Sequence, residues 1–282
     1  MTSFKLPDMD YAFTQRVICS FISQEAEKYQ FKGGVVALSG GLDSSLVAVL
    51  SHIALQGRIA LLFMPYGKQD QAEADAQAVA SMLQIPLESY NIGPVTDQLC
   101  ENRQIKDPRR KGNIMARLRM NLLFDVSARD GLMVIGTSNK SELLTGYSTW
   151  FGDSAACIMP IGDLYKTQAR ALAYHCHLPE SILTKAPSAE LWEGQTDEDE
   201  MGISYEILDQ ILYHWIDQRH AIQSLIDKGF DSKQVHQVAK RCRKALYKHK
   251  LPIICKISDR TIGLDYRLSK ETMNMPEGLK QD

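Results

Sequence analysis

The chain has 282 residues, 44% hydrophobic and 23% charged, with a formal net charge of −2, which suits one sizeable core or two modest ones. A near-neutral charge gives no global attraction to nucleic acid or to anionic membranes, and no apolar run reaches the length of a membrane span. The six cysteines (Cys19, Cys100, Cys157, Cys176, Cys242, Cys255) include no Cys-x-x-Cys, so neither a zinc ribbon nor a thioredoxin-type motif is supported. His175-Cys176-His177 has metal-ligand residue types, but alternate residues of one helix point to different sides. No signal-peptide pattern is visible, so free thiols in a reducing cytoplasm are expected.

Residues 10–29 carry Ala12, Phe13, Val17, Ile18, Phe21 and Ile22 at helical spacing, which predicts a helix packed against a sheet. Val35 to Leu38 read as a buried parallel strand, followed by a Ser39-Gly40-Gly41 turn and a helix that begins near Asp43 (Leu46, Val47, Val49, Leu50, Ile53). Strand, glycine turn and helix start present backbone N–H groups to an anion, and Ser39, Ser44 and Ser45 add hydroxyl donors. No Gly-Lys-Ser/Thr ends the turn and no Gly-x-Gly-x-x-Gly is present, so this is neither a Walker A loop nor a dinucleotide fingerprint.

A second buried strand is predicted at Ile59 to Met64, an alanine-rich helix over 70–83 and a third strand over 86–92. Residues 101–112 read as a charged, solvated connection, and 113–129 as a helix with Ile114, Leu118, Leu122 and Val126 on one face beside Arg117. Leu132 to Ile135 form a fourth strand, running through Gly136-Thr137 into a helix that carries Glu142. Lys166 opens a helix that ends near His177. Residues 185–203, with the acidic run Asp197 to Glu200, lack periodicity and read as a long mobile loop; helices are expected from Tyr205 and again, basic in character, near 232–248. Strand–helix repetition of this kind predicts an α/β doubly wound parallel sheet, Rossmann-like, with a helical C-terminal extension, in one domain over 1–282. Ligands should sit at the carboxyl ends of the strands.

Ser39-Gly-Gly-Leu-Asp-Ser-Ser45 resembles the pyrophosphate-binding loop of the N-type ATP pyrophosphatases (the adenine nucleotide α-hydrolase type of fold). Gly136-Thr-Ser-Asn-Lys-Ser-Glu142, Tyr147-Ser-Thr-Trp-Phe-Gly-Asp153, Pro160 to Gln168, Lys185 to Leu191, Asp197 to Tyr205 and His249-Lys250 are similar to the sequence of ammonia-dependent NAD synthetases, over about residues 10–255. The resemblance implies amidation of deamido-NAD (nicotinic acid adenine dinucleotide) to NAD through an acyl-adenylate, with ATP split to AMP and pyrophosphate, in a cytoplasmic homodimer. It implies ATP contacts at Ala37, Leu38, Ser39, Gly40, Gly41, Leu42, Asp43, Ser44, Ser45, Gln69, Thr137, Lys166 and Ser188. It places Mg²⁺ on Asp43 and Glu142, and deamido-NAD near Arg117, Trp150, Cys157, His249 and Lys250. Lys166 would meet charge developing on the triphosphate, and Asp153 either holds the amine or merely closes a turn. The stretch 190–203 corresponds to a loop that orders over the nucleotide, which would shield an acyl-adenylate from water.

Three positions depart from the pattern. Trp150 stands where many relatives have a lysine, Cys157 where many have an aspartate, and Phe63 where some have an arginine. The ATP end of the site is therefore more secure than the nicotinate end. The chain starts a few residues before the synthetase-like helix, so no glutaminase domain is expected and free ammonia is the expected donor. Helices 113–129 and 205–216 offer apolar faces to a dimer or to the core. Two other readings compete: an ATP pyrophosphatase amidating or thiolating another substrate, and a non-catalytic adenine-nucleotide-binding protein. The first, if it acted on tRNA, would want paired cysteines and a basic RNA surface, which are not seen; the second is opposed by the presence of Asp43, Glu142 and Lys166 together.

Overall fold

Four short parallel strands form the centre of the molecule, in the order β3-β2-β1-β4. They are β1 (Gly33–Ala37), β2 (Ile59–Phe63), β3 (Leu87–Ser89) and β4 (Leu132–Ile135). The computed structural model describes residues 6–185, 187, 196–249, 253–262 and 264–265. Helix α1 (Tyr11–Lys28) precedes the sheet; α2 (Leu42–Leu55), α3 (Asp70–Leu83), α4 (Gly93–Asn102) and α5 (Pro108–Asp130) connect the strands. After β4 come α6 (Lys140–Thr145), α7 (Lys166–His175), α8 (Glu180–Leu183), α9 (Asp197–Met201) and α10 (Tyr205–Leu212). A π-helical turn (Tyr213–Asp217), α11 (Ile222–Asp227) and α12 (Ser232–Ala245) follow.

Alternation along the strands sends side chains into two cores. Val36, Leu38, Leu61, Phe63, Met133 and Ile135 join α1, α2, α3 and α7 on one face. Val35, Leu62, Met64 and Val134 meet Met115, Leu123 and Val126 of α5 on the other. A third core, built from Tyr165, Met201, Tyr205, Leu208, Ile211, Leu212, Leu225, Val235 and Val238, joins the helices beyond the sheet. The α/β, Rossmann-like expectation holds.

The chain winds outward from β1 through β2 to β3, then returns to the other side of β1 as β4. The strand order therefore reverses between β1 and β4, and the crevice beyond their carboxyl ends is where an open parallel sheet binds its ligand. Gly40 lies there with φ +77°, and a Cβ on it would sit 2.4 Å from the carbonyl oxygen of Ala72 in α3. Only glycine fits that backbone and that gap.

Several sequence expectations shift. In α1, Ile18, Ile22 and Ala26 form the buried ridge against α2 and α7. The neighbouring ridge, Phe13, Val17 and Phe21, is turned outward, at 57%, 49% and 41% exposure. A helix lying on one pair of neighbours can bury only one of two adjacent i, i+4 rows. The charged connection is shorter than expected, because Asp107 accepts from the Arg109 N–H and starts α5 at Pro108. The buried row of α5 is Met115, Leu123 and Val126, with Ile114, Leu118 and Leu122 only half-buried. Arg119 reaches back from that row to donate to the Met64 carbonyl at 2.9 Å. The third strand shrinks to three residues, although Tyr90 and Ile92 still donate to the carbonyls of Phe63 and Pro65. The acidic run is not loop: Thr196 caps α9, and Asp197 is buried. Residues 188–195 of that expected loop lie outside the described residues. Helix α10 spends its apolar face on the third core.

Contacts divide the chain after Ala245. In the second part, Leu246–His249 make a 3₁₀ turn, and Asp265 pairs with Lys256 and accepts from the Thr261 N–H. No helix among the described residues is long and apolar enough to cross a membrane.

Candidate active site

The turn after β1 is braced from within. Ser44 Oγ donates to the Gly41 carbonyl at 3.0 Å, as Ser45 Oγ does at 2.8 Å, while the Ser39 N–H donates to Ser44 Oγ. Ser44 and Ser45 are buried and Ser39 is exposed. The sequence suggested three hydroxyls for an anion; the structure spends those of Ser44 and Ser45 on holding the turn's shape. Gly41, the N-cap of α2, brings no side-chain cap. The first N–H groups of this 14-residue helix thus face the crevice with the positive end of the macrodipole behind them.

Asp43, in the first turn of α2, meets two residues from elsewhere. Lys166 Nζ, at the start of α7, donates to Asp43 Oδ2 at 2.5 Å and lies 3.8 Å from Glu142 Oε1. Asn139 Nδ2 donates to the same Asp43 oxygen at 3.2 Å. Asn139 and Glu142 also cap α6 reciprocally: the Glu142 N–H donates to Asn139 Oδ1, and the Asn139 N–H to Glu142 Oε2. Asn-x-x-Glu is a capping-box pattern, and the box fixes Glu142 beside Asn139, which itself reaches Asp43. Burial and the neighbouring Asp43 charge push the Glu142 carboxyl well above the ordinary glutamate range. Burial works against the Lys166 ammonium, but Asp43 and Glu142 outweigh it and keep the lysine firmly charged.

A further carboxylate lies behind this group. Asp197, on α9, accepts from Tyr147 Oη at 3.0 Å and Tyr205 Oη at 3.3 Å, and burial raises its carboxyl above the usual range. Lys166 Nζ stands 5.4 Å from the centre of the Tyr205 ring. No role for Asp197 was legible in the sequence beyond membership of an acidic run.

Thr137 follows β4, half-buried, and Gln69 is the N-cap of α3. Arg117 is exposed on α5 and donates to the Trp150 carbonyl at 3.2 Å. Trp150 stacks on Phe151 (centroids 4.5 Å apart, planes 27° apart), and Phe151 holds φ +58°. Asp153 is exposed and closes a turn by accepting from the Thr149 N–H at 2.7 Å. Cys157 is exposed, with its N–H on the Val134 carbonyl at the end of β4. His249 falls in the second part of the chain, and Ser188 and Lys250 lie outside the described residues.

A divalent cation suits the centre of this arrangement. Asp43 Oδ1 is buried without a hydrogen-bond partner, the kind of orphaned acceptor that a metal satisfies. Among the described residues no three acidic, histidine or cysteine side chains converge as a ready-made cage. A site of two carboxylates completed by water and phosphate oxygens is the style of Mg²⁺.

A sheet crevice, an anion-binding helix start and a Lys–Asp–Glu cluster describe many nucleotide enzymes. The comparisons with known proteins decide among them. The family model described as NAD synthase matches residues 14–252.

The chain belongs to the NAD synthase family.

An NH₃-dependent NAD⁺ synthetase of Pelodictyon phaeoclathratiforme is 43% identical over 265 residues, 93% of this chain and 96% of the relative. Among solved structures, an NMN synthetase from Francisella tularensis matches with a TM-score of 0.79 at 32% identity, covering 89% of this chain and all of that one. An NH₃-dependent NAD synthetase from Campylobacter jejuni matches with a TM-score of 0.77, also at 32% identity, covering 88% and 100%. Like the enzymes of its family, this NAD synthase homologue is a ligase that forms a C–N bond and uses ATP as co-substrate.

Proposed function

We propose that the protein amidates deamido-NAD to NAD with free ammonia, splitting ATP to AMP and pyrophosphate. One observation carries the mechanism: Asp43, Glu142 and Lys166, from three separate elements, converge at the uncapped start of α2. A carboxylate is a poor electrophile, so it must first gain a leaving group. An oxygen of the nicotinate carboxylate attacks the α-phosphorus, and the bond to the β-phosphate oxygen breaks. The departing pyrophosphate is received beside the turn after β1 by the first N–H groups of α2, and Lys166 offsets its charge. Asp43 and Glu142 would hold Mg²⁺, which when bound neutralises phosphate oxygens. Ammonia then attacks the acyl carbon and AMP leaves. Gln69, Thr137 and Ser188 belong to the ATP side, and Arg117, Trp150, Cys157, His249 and Lys250 to the acid substrate. Asp153 would hold ammonium or take a proton from the attacking amine. The working form is a homodimer, and a reducing cytoplasm suits six cysteines that are all free thiols.

The test is NAD formation by the purified chain with ATP, Mg²⁺ and deamido-NAD, with ammonium and with glutamine in parallel. The expected result is product with ammonium and next to none with glutamine. Pyrophosphate release with some other carboxylate, and no NAD, would overturn the reading.

A second reading concerns the size of the acid. The Francisella relative is an NMN synthetase, and Trp150 and Cys157 put an aromatic ring and a thiol where the family resemblance implies opposite charges. Nicotinic acid mononucleotide, run beside deamido-NAD, separates the two. Trp150→Lys should change the KM for the acid by about tenfold, roughly one ionic contact, and leave the KM for ATP within about twofold.

A further inference from the structure

Helices α6 and α7 each bring one member of the charged cluster, yet they are separate in sequence, and α6 is only six residues long. Something must fix the start of one against the start of the other. Asp209, on α10, is fully buried and lies where both helices begin. Its Oδ1 accepts from Ser141 Oγ at 2.5 Å, in the first turn of α6. Its Oδ2 accepts from the Thr167 N–H at 2.9 Å and from Thr167 Oγ1 at 2.8 Å, in the first turn of α7. Ser141 Oγ in turn accepts from the Lys166 N–H at 3.0 Å, so the two helix starts are also tied directly. Each of these contacts is one residue from Glu142 or Lys166, or is the backbone of Lys166 itself.

We propose that Asp209 is a positioning residue for the amidation, a buried carboxylate that sets α6 against α7 so that Glu142 and Lys166 meet at Asp43. It is held as an acceptor by three donors and by the positive end of α7, which is what allows a buried carboxylate to be kept. Burial nonetheless lifts its carboxyl to about 6, so the interaction is not spent on an unperturbed surface acid. Asp209 does not touch the crevice in the way Asp43 does. Its action passes through Ser141 and Thr167, and its loss should loosen the cluster rather than remove a member of it. The inference rests on the proposed chemistry for its activity arm only.

The experiment compares wild type with Asp209→Asn, Asp209→Ala and Ser141→Ala. Two readouts are used: direct titration of Mn²⁺, as a paramagnetic stand-in for Mg²⁺, and steady-state kinetics with ATP, Mg²⁺, ammonium and deamido-NAD. Asparagine keeps the shape and one acceptor oxygen, so Asp209→Asn should retain most of the Mn²⁺ affinity and act as the conservative rescue of Asp209→Ala. Asp209→Ala should weaken Mn²⁺ binding at least tenfold and lower kcat by about 100-fold, the cost of misplacing reacting groups by an ångström, with the KM for deamido-NAD within about twofold. Ser141→Ala leaves Asp209 on Thr167 and cuts both its link to α6 and the direct tie from Ser141 to the Lys166 N–H, so it should weaken Mn²⁺ binding even if Asp209→Ala fails to fold. Folded Asp209→Ala and Ser141→Ala that keep wild-type Mn²⁺ affinity and kcat would overturn the proposal. So would losses that merely follow the folded fraction seen by circular dichroism. If wild type made no NAD, the proposed function would fall, while the Mn²⁺ titrations would still judge Asp209.

Discussion

Asp43→Asn should lower ATP-dependent pyrophosphate release by about 10³-fold, near 4 kcal/mol of transition-state stabilisation, when measured at saturating Mg²⁺. The substitution is nearly isosteric and sits in the first turn of α2, so the turn after β1 should keep its shape. What changes is charge. The cluster passes from one lysine between two carboxylates to a matched pair of Lys166 and Glu142. The carboxylate that helps to raise Glu142 is gone, so that group should return toward its ordinary range. Activity should therefore collapse while the thermal midpoint moves little, a separation read by a pyrophosphate assay beside a melt. A variant with near wild-type pyrophosphate release would remove Asp43 from the chemistry. One that had simply unfolded would show the loss to be structural.

How much of this was written locally decides how much could be read early. The β1–turn–α2 unit was legible because strand, glycines and helix start are contiguous, and Gly40 answers to a contact with α3 that its own φ anticipates. The parallel sheet followed from the alternation of apolar runs with helices. Which row of a helix meets the core was not legible. Phe13, Val17 and Phe21 share the spacing of Ile18, Ile22 and Ala26, and only the placement of α2 and α7 chooses between the rows. The same ambiguity moved the buried row of α5 from Leu118 toward Met115.

The site divides along the same line. Asp43, Glu142 and Lys166 stood in recognisable motifs, and the structure brings them within salt-bridge reach of one another across three elements. Asp197 opened a family-like motif but carried no role there, and Asp209 stood in no motif. Each is one acid in a helix, and its meaning lies in partners distant in sequence: Tyr147 for the first, Ser141 and Thr167 for the second. The acidic run around Asp197 read as mobile loop because it lacks periodicity; here Asp197 is buried and Glu200 accepts from Tyr147 Oη at 2.6 Å. Trp150 and Asp153 lie between these extremes: the turn they share is visible in the structure, and binding experiments decide whether either touches substrate.

Lys166→Met should lower kcat by about 10²–10³-fold, the usual cost of deleting one preorganised group facing developing negative charge. It should also change how stability depends on pH, in a direction that the cluster fixes. In the wild type Lys166 pulls Glu142 down, against burial and Asp43, which push it up. Without the lysine, burial, Asp43 and Asp197 raise it against the Asn139 N–H alone, so the folded variant holds a proton on Glu142 to higher pH than the wild type does. A carboxyl raised in the folded state costs nothing while both states are protonated. The cost appears as pH rises above the ordinary glutamate value of 4.5 and is complete once the folded carboxyl ionises. The metal-free variant should thus go on losing thermal stability to a higher pH than wild type does. Methionine matches the lysine's length and its apolar neighbours, so packing loss should be small. Mg²⁺ favours the ionised pair of carboxylates, so it should raise the melting temperature of the variant more at high pH than at low pH. Melts across pH, with and without Mg²⁺, read this out. Parallel pH profiles for variant and wild type would mean that Lys166 does not govern the charge state of Glu142, and kcat would then report only its own contact with phosphate.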